Sequence, residues 1–133
     1  MTRGSARHVL LAVAAIVTIV WLAIVLLWRD APFAMTFDDA FYYFGIARNV
    51  AHGHGSTFDG IDPTNGYHPL WMLVAVPLFA AGADGTSAVR ALLVVQVLCY
   101  GAALAGLALI AARAIDGWPR LRVAKREDRA GAG

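Results

Sequence analysis

The sequence has few charged residues and almost no cysteine. Charged residues make up 15% of the 133 residues, whereas a soluble domain carries about 25%. Cys99 has no second cysteine to pair with, which excludes a scaffold held by intrachain disulfides. Aromatic residues make up 11% of the chain, too many for a disordered segment, and the net charge of +2 is too small to indicate nucleic-acid binding. The length allows one small domain or a few membrane spans rather than a complete large enzyme.

Hydrophobic residues make up 59% of the chain, and the first long apolar run is Val9–Trp28. This run carries no charge and would span roughly 30 Å as a helix, the thickness of a bilayer core. We therefore predict a transmembrane helix at 9–28 and a cytoplasmic amino-terminal segment at 1–8. A cleavable signal peptide has a shorter apolar region that ends in small residues, whereas bulky Trp28 stands at that place here. The run is interpreted as an uncleaved signal anchor.

Two more apolar runs follow. Pro69–Ala81 predicts a second span at 69–83, but this span is at the lower limit of length and Pro77 should kink it, so a re-entrant segment is the alternative. Ala91–Ala112 carries no charge and predicts a third span at 89–112. Small residues recur four positions apart in this run, which lets another helix approach closely or simply reflects an alanine-rich span. They are Gly101, Ala102, Ala105 and Gly106.

The predicted fold class is an all-α membrane protein with about three transmembrane helices. An amphipathic helix at about 39–52 is expected to lie along the membrane within an outer loop at 29–68. The basic tail at 113–133 is rich in charge and is predicted to be disordered. The lipid bilayer is the first expected partner, and the expected location is the plasma membrane, as a multi-pass protein.

The distribution of basic residues conflicts with three spans. With a cytoplasmic amino terminus, three of the eleven Lys and Arg residues would face the cytoplasm and eight would face outward. This is the reverse of the positive-inside rule. The conflict disappears if the second run is re-entrant, or if the chain is the front part of a longer protein. Both solutions stay open at this point.

The most ordered stretch of the outer loop begins with Thr36-Phe-Asp-Asp39. Thr36 with Asp39 three residues later resembles an N-cap arrangement. Adjacent helical residues point about 100° apart, so both carboxylates can face one site only if the helix begins at about Asp39 and Asp38 lies just outside it. The alternative is that both carboxylates only cap the helix, because acidic caps are common. Six residues at helical spacing form an apolar stripe. The stripe consists of Ala40, Tyr43, Phe44, Ala47, Val50 and Ala51.

The rest of the outer loop is rich in turn-forming residues and histidine. Its Asp-Gly and Asn-Gly dipeptides and its prolines predict a compact loop of specific shape. His52, His54 and His68, with nearby carboxylates, are a candidate metal site. Their spacing matches no strong zinc signature. The alternative is that these histidines form hydrogen bonds within the loop.

Two ordered motifs in this loop resemble a known family. They read DDAFYYFGIARNVAHGHG over 38–55 and TFDGIDPTNGYHPLW over 57–71. Together they resemble the first outer loop of GT-C glycosyltransferases, which are integral membrane enzymes that use polyprenyl-phosphate-linked sugars. Protein mannosyltransferases and aminoarabinose transferases belong to this superfamily. The specific likeness runs from about Phe37 to Trp71, and a weaker likeness in hydropathy extends from residue 9 to about 115.

The resemblance implies sugar transfer from a polyprenyl-phosphate donor to an acceptor hydroxyl. Asp38 or Asp39 would act as the catalytic base or help to hold a divalent metal, and Asp38 is favoured because it would lie outside the helix. Arg48 would bind the donor phosphate, or would instead be an interfacial arginine with its head in water. The other substrate-binding candidates are His54, Asn65, Tyr67 and His68.

Members of this superfamily are much longer chains with more spans. The resemblance therefore predicts a truncated or split member that is inactive alone and that a second membrane chain would complete. The alternative function is a non-catalytic membrane subunit that binds a partner through the third span. No nucleic-acid partner is expected, and a divalent metal is the one cofactor that the resemblance suggests.

Overall fold

A computed structural model describes the backbone of residues 3–131 and the side chains of residues 5–115. Over this range the protein is all-helical, which confirms the all-α part of the prediction, and an isolated bridge between Thr57 and Pro63 is its only β-type pairing. The helices are α1 (Arg3–Leu27), α2 (Ala31–Ala34), α3 (Asp38–Ala51), α4 (Pro69–Ala80) and α5 (Gly85–Gly131).

Two helices in the described part of the chain are long and apolar enough to cross a membrane. They contribute Ser5–Leu27 of α1 and Gly85–Ile115 of α5. Most of their large apolar side chains, such as Ile19 and Leu107, are exposed. α4 is apolar but has only 12 residues, about 18 Å of helix. The structure thus gives two candidate spans where the sequence predicts three.

Several boundaries differ from the predicted ones. α4 ends at Ala80 rather than 83, since Gly82 adopts φ +89° and stops the helix. α5 begins at Gly85, four residues before the predicted third span. The tail predicted to be disordered continues α5 as far as Gly131, because its Ala, Leu, Arg, Lys and Glu residues favour helix. Residues 132–133 lie outside the described residues.

The chain divides into two compact units, and the first contains the described residues up to Val20 and from Leu98 onward. In this unit α1 and α5 approach closely at Gly101, where a Cβ atom would lie 2.6 Å from the Thr18 hydroxyl oxygen. Gly101, one of the predicted small-residue positions, therefore packs against α1 of the same chain. A Cβ at Gly106 would meet nothing within 4 Å.

The second unit runs from Trp21 to Val97, and its core forms where α3 packs on α4. Ile46 of α3 is fully buried, and Phe44 and Ala47 beside it are buried too. The other members of the predicted apolar stripe are partly buried against the same core. The stripe of α3 therefore contacts protein. The α4 and α5 residues of this core are Met72, Ala75, Phe79, Ala88, Val89, Leu92, Leu93 and Val97.

The start of α3 differs from the predicted N-cap. The capping position is Phe37, which makes no side-chain cap, and Asp38 is the first helical residue instead of lying outside the helix. The Asp38 carboxylate accepts the Asp39 N–H at 3.1 Å. Thr36 lies one residue before the capping position and does not cap the helix. Its hydroxyl oxygen is buried with no hydrogen-bond partner among the described residues.

Candidate functional site

A cleft of about 300 Å³ opens between α3, the carboxyl-terminal end of α4 and the start of α5. Aromatic rings form its walls, and one cation, one carboxylate and one hydroxyl form its polar part. Such a mixture suits a ligand with an apolar body and a charged group. The lining residues are Phe33, Phe41, Phe44, Gly45, Arg48, Phe79, Asp84, Gly85, Thr86 and Val89.

Arg48 and Asp84 form the charged part of the cleft. The guanidinium Nη2 lies 3.3 Å from the Asp84 Oδ2, and the two side chains are 56% and 61% exposed. An ion pair this exposed contributes only about 0–1 kcal/mol, so an anionic ligand could replace Asp84 on Arg48 at little cost. Asp84 also precedes the first residue of α5, whose amino-terminal end carries a partial positive charge.

The two acidic residues at the start of α3 point to different sides of the helix. Both side chains are exposed. At 100° per residue, Asp38 lies about 60° from Phe41 and about 20° from Gly45, which both line the cleft. Asp39 lies about 160° from Phe41 by the same count. Asp38 therefore stands at the edge of the cleft side of α3, and Asp39 stands on the opposite side.

The outer loop folds onto the side of α3 away from α4. The Asn49 amide donates to the carbonyl oxygens of Thr57 (2.9 Å) and Phe58 (3.0 Å). The Phe58 ring stacks on Tyr42 at 4.8 Å between centroids. The ring also lies over Gly45, where a Cβ would come within 2.9 Å of it. The absence of a side chain at Gly45 thus permits this contact between loop and helix.

Tyr67 and His68 hold the loop rather than line the cleft. The Ser56 hydroxyl donates to the Tyr67 hydroxyl at 2.9 Å. The His68 Nδ1 and the Tyr43 hydroxyl are hydrogen-bonded at 2.9 Å, and their rings stack. His68 therefore matches the alternative in which a histidine forms hydrogen bonds in the loop region.

His54 and Asn65 also lie away from the cleft, and both are exposed. The His54 ring stacks against His52, and the His52 Nδ1 is hydrogen-bonded to the Arg48 carbonyl at 2.7 Å. Of the predicted substrate-binding residues, the structure brings only Arg48 into the cleft.

The arrangement does not suit a metal ion. Among the side chains of residues 5–115, no group of three or more His, Cys, Asp or Glu could hold one. His68 contacts Tyr43 while His52 and His54 stack on each other, and the Asp38 and Asp39 carboxylates diverge. We therefore derive no chemical step through a divalent metal.

The Asp59 carboxylate organises the tip of the outer loop. Its Oδ1 accepts the N–H of Ile61 at 2.8 Å, the N–H of Asp62 at 3.0 Å and the hydroxyl of Thr57 at 3.0 Å. These bonds favour the ionised form and hold the pKa of Asp59 below its ordinary value, with the Ile61 N–H as the largest cause. The turn is therefore built around a charged carboxylate.

The loop tip is expected to loosen in acid. Because the pKa of Asp59 is lower in the folded than in the unfolded chain, its stabilisation is complete above an unfolded value of about 4. It is lost as the pH falls through the lowered folded value. Hydrogen exchange at the Ile61 and Asp62 amides, corrected for the intrinsic effect of pH, should accelerate in that window. Asp59→Asn keeps the acceptor oxygen without the titration, so the same acid step in this variant would contradict the prediction.

Sequence reasoning missed Asp84 and the phenylalanine walls of the cleft. A signal for Asp84 was present, because Asp-Gly-Thr-Ser directly before an apolar run is typical of a helix start. Ser87 confirms that start, since its hydroxyl donates to the Asp84 carbonyl at 2.6 Å. The phenylalanines come from three separate helices, α2, α3 and α4, and their convergence leaves no local pattern in the sequence.

Comparison of the chain with known protein families, curated proteins and solved structures found no match. Functional conclusions therefore depend on the residues of the cleft and on the resemblance of the outer loop.

Proposed function

We propose that this chain is the amino-terminal module of a GT-C-like membrane glycosyltransferase. It would transfer a sugar from a polyprenyl-phosphate donor to an acceptor hydroxyl, as a multi-pass protein of the plasma membrane. α3 would lie along the outer membrane surface, with the cleft open to donor and acceptor. The observation that carries the proposal is the aromatic cleft that contains Arg48, together with the direction of Asp38, which helix geometry places on the same side of α3 as the cleft residues Phe41 and Gly45.

The site supplies the two groups that the reaction needs. The acceptor hydroxyl forms a bond to the anomeric carbon of the sugar while the bond from that carbon to the phosphate oxygen breaks. Asp38 takes the hydroxyl proton, which a carboxylate is suited to do. Arg48 stabilises the negative charge on the departing polyprenyl phosphate. The phosphate displaces Asp84, whose exposed ion pair with Arg48 is weak.

Asp38 and Arg48 are ten residues apart, about 15 Å along the helix axis. Proton removal and phosphate departure take place on opposite faces of one anomeric carbon, so in the transfer step the long Arg48 side chain must reach toward Asp38 along the cleft. Helical side chains tilt toward the amino-terminal end of the helix, which shortens the gap. The phenylalanines between them provide an apolar wall beside the sugar and the first isoprene units.

A membrane setting is supported by the exposed apolar side chains of both candidate spans. In water, so many exposed Val, Ile, Leu and Trp side chains would form far larger apolar patches than soluble proteins carry. Phe33 and Phe37, between α1 and α3, are exposed as well, and exposed aromatic rings at the end of a span suit the membrane interface.

A second candidate function is a non-catalytic subunit that binds another membrane chain through α5. It is favoured by Ala102 of this helix, which is exposed, and by Gly106, where an added Cβ would meet no atom of the described residues within 4 Å. Small residues on an open face let a second helix approach closely. Under this function Asp38 and Arg48 would have no chemical role.

The two functions are separated by an assay in native membranes, where any partner chain is present. Membranes from cells with and without the gene would be given labelled polyprenyl-phosphate hexoses. We expect label to reach an acceptor only where the gene is present, and a free nucleotide sugar to be inert in washed membranes. Equal incorporation with and without the gene, for every hexose supplied, would overturn the transferase proposal and favour the subunit.

A further inference from the structure

Both ends of α4 are attached to the same helix. Just before α4, His68 is hydrogen-bonded to the Tyr43 hydroxyl at 2.9 Å. Just after α4, Asp84 pairs with Arg48 at 3.3 Å. Tyr43 and Arg48 are only five residues apart on α3, about 7.5 Å along its axis. The chain therefore enters and leaves α4 beside one short stretch of α3.

α4 is also too short to carry the chain across a bilayer. Its 12 residues reach about 18 Å, against a hydrocarbon core of about 30 Å. One side of the helix packs on the core through Met72, Ala75 and Phe79. On the other side Leu70 and Leu73 are 79% and 72% exposed. Both sides of this helix are apolar, but only one side is covered by protein. The uncovered side is stable only in contact with an apolar medium.

Arg90 shows on which side α5 begins. Its guanidinium donates to the carbonyl oxygens of Val25, Leu26, Trp28 and Arg29, at 3.3 Å for Leu26, 3.2 Å for Trp28 and 3.0 Å for Arg29. Carbonyl groups in the last turn of a helix lack hydrogen-bond donors within the helix. At the end of α1 the Arg90 guanidinium is that donor. The second turn of α5 therefore lies level with the end of α1.

From these contacts we infer that the membrane is crossed by α1 and α5 but not by α4. Residues 28–84 then lie on one side of the membrane, and the segments before residue 9 and after residue 112 lie on the other. α4 rests at the boundary of the outer leaflet, with Leu70 and Leu73 against the acyl chains. This inference concerns topology and does not depend on sugar transfer.

The distribution of charge gives the orientation. Of the eleven Lys and Arg residues, only Arg29, Arg48 and Arg90 lie at or between the facing ends of α1 and α5, which leaves eight on the other side (11 − 3 = 8). The positive-inside rule assigns the side with eight to the cytoplasm, whereas three spans would put eight outside. Two crossings thus remove the conflict that three spans create. The eight are Arg3, Arg7, Arg113, Arg120, Arg122, Lys125, Arg126 and Arg129.

Cysteine labelling of the full chain in intact cells tests this topology. In a Cys99→Ala background, single cysteines would replace Ile61, Thr86 or Ala124 and be exposed to a membrane-impermeant maleimide. Ile61 and Thr86 are exposed, so both cysteines should react in intact cells, and the Ala124→Cys variant should react only after permeabilisation. Ile61→Cys is the control, since it reacts from outside with either two or three crossings.

Two results would overturn the inference. Protection of the cysteine at 86 together with labelling of the one at 124 would indicate three crossings. Labelling only at 124 would indicate the opposite orientation. A second measurement needs no cysteine: a carboxyl-terminal fluorescent protein that matures only in the cytoplasm should be bright on the unaltered chain. A dark fusion with normal accumulation would also overturn the inference.

Discussion

Asp38→Asn is expected to lower sugar transfer in membranes by at least about 100-fold, since a positioned general base contributes roughly 10²–10⁴-fold. Asparagine keeps the shape of the side chain and an oxygen that can accept the Asp39 N–H, the one hydrogen bond of this carboxylate that the structure gives. The substitution therefore removes the proton acceptor and leaves the start of α3 intact.

Asp39→Asn is the matched control for this prediction. Asp39 is equally exposed and differs mainly in direction, since it lies on the side of α3 away from Phe41 and the cleft. We expect transfer to fall by no more than a few-fold in this variant. A reversed order, with Asp39→Asn inactive and Asp38→Asn active, would show that the reaction takes place on the side of α3 away from the cleft.

Transfer from a labelled polyprenyl-phosphate sugar would be measured in membranes that contain equal amounts of each variant. Neither carboxylate is buried, so we expect both variants to accumulate and to unfold in detergent as the unaltered chain does. Equal accumulation and equal thermal midpoints would exclude a loss of fold as the cause of lower transfer. If both variants transfer sugar as well as the unaltered chain does, the cleft has no catalytic carboxylate. The non-catalytic function through α5 then becomes the better interpretation.

Composition and periodicity predicted the helices of this protein because those properties are local. An uncharged apolar run is enough to identify α1 and the first part of α5, and 3.6-residue spacing is enough to identify α3. The extent of Pro69–Ala80 was also visible in the sequence. Whether this segment crosses a membrane stayed open, because its short length and Pro77 allowed a re-entrant segment, and apolarity does not distinguish contact with α3 from contact with lipid.

The candidate site was less predictable because it depends on contacts between distant parts of the chain. Arg48 and Asp84 are in contact although they are 36 positions apart in the sequence. Arg90 contacts the end of α1, which is more than 60 positions earlier. The predicted position of Asp38 depended on a single helix boundary, and the structure places this residue at the first position of α3 rather than outside the helix. Helix geometry nevertheless directs Asp38 to the same side of α3 as Phe41 and Gly45 of the cleft.

Ile46→Ala is expected to lower the free energy of unfolding by about 2–4 kcal/mol, the usual cost of emptying a buried isoleucine site. Ile46 is fully buried in the core that joins α3 to α4 and α5. Ile61→Ala makes the same chemical change at a loop position that is 81% exposed, so it should leave stability within experimental error. Unfolding of the detergent-solubilised protein, followed by tryptophan fluorescence, measures both.

The two pairs of variants separate an effect on catalysis from an effect on folding stability. Ile46→Ala should reduce stability, and it should reduce transfer only as far as folded protein is lost, because Ile46 does not line the cleft. Asp38→Asn should leave stability unchanged and abolish transfer. If Ile46→Ala proved as stable as Ile61→Ala, α3 would not be held on α4, and the cleft would lose the contact that positions Arg48 beside Asp84. The transferase proposal needs that contact, since a mobile Arg48 cannot stabilise a phosphate at a fixed distance from Asp38.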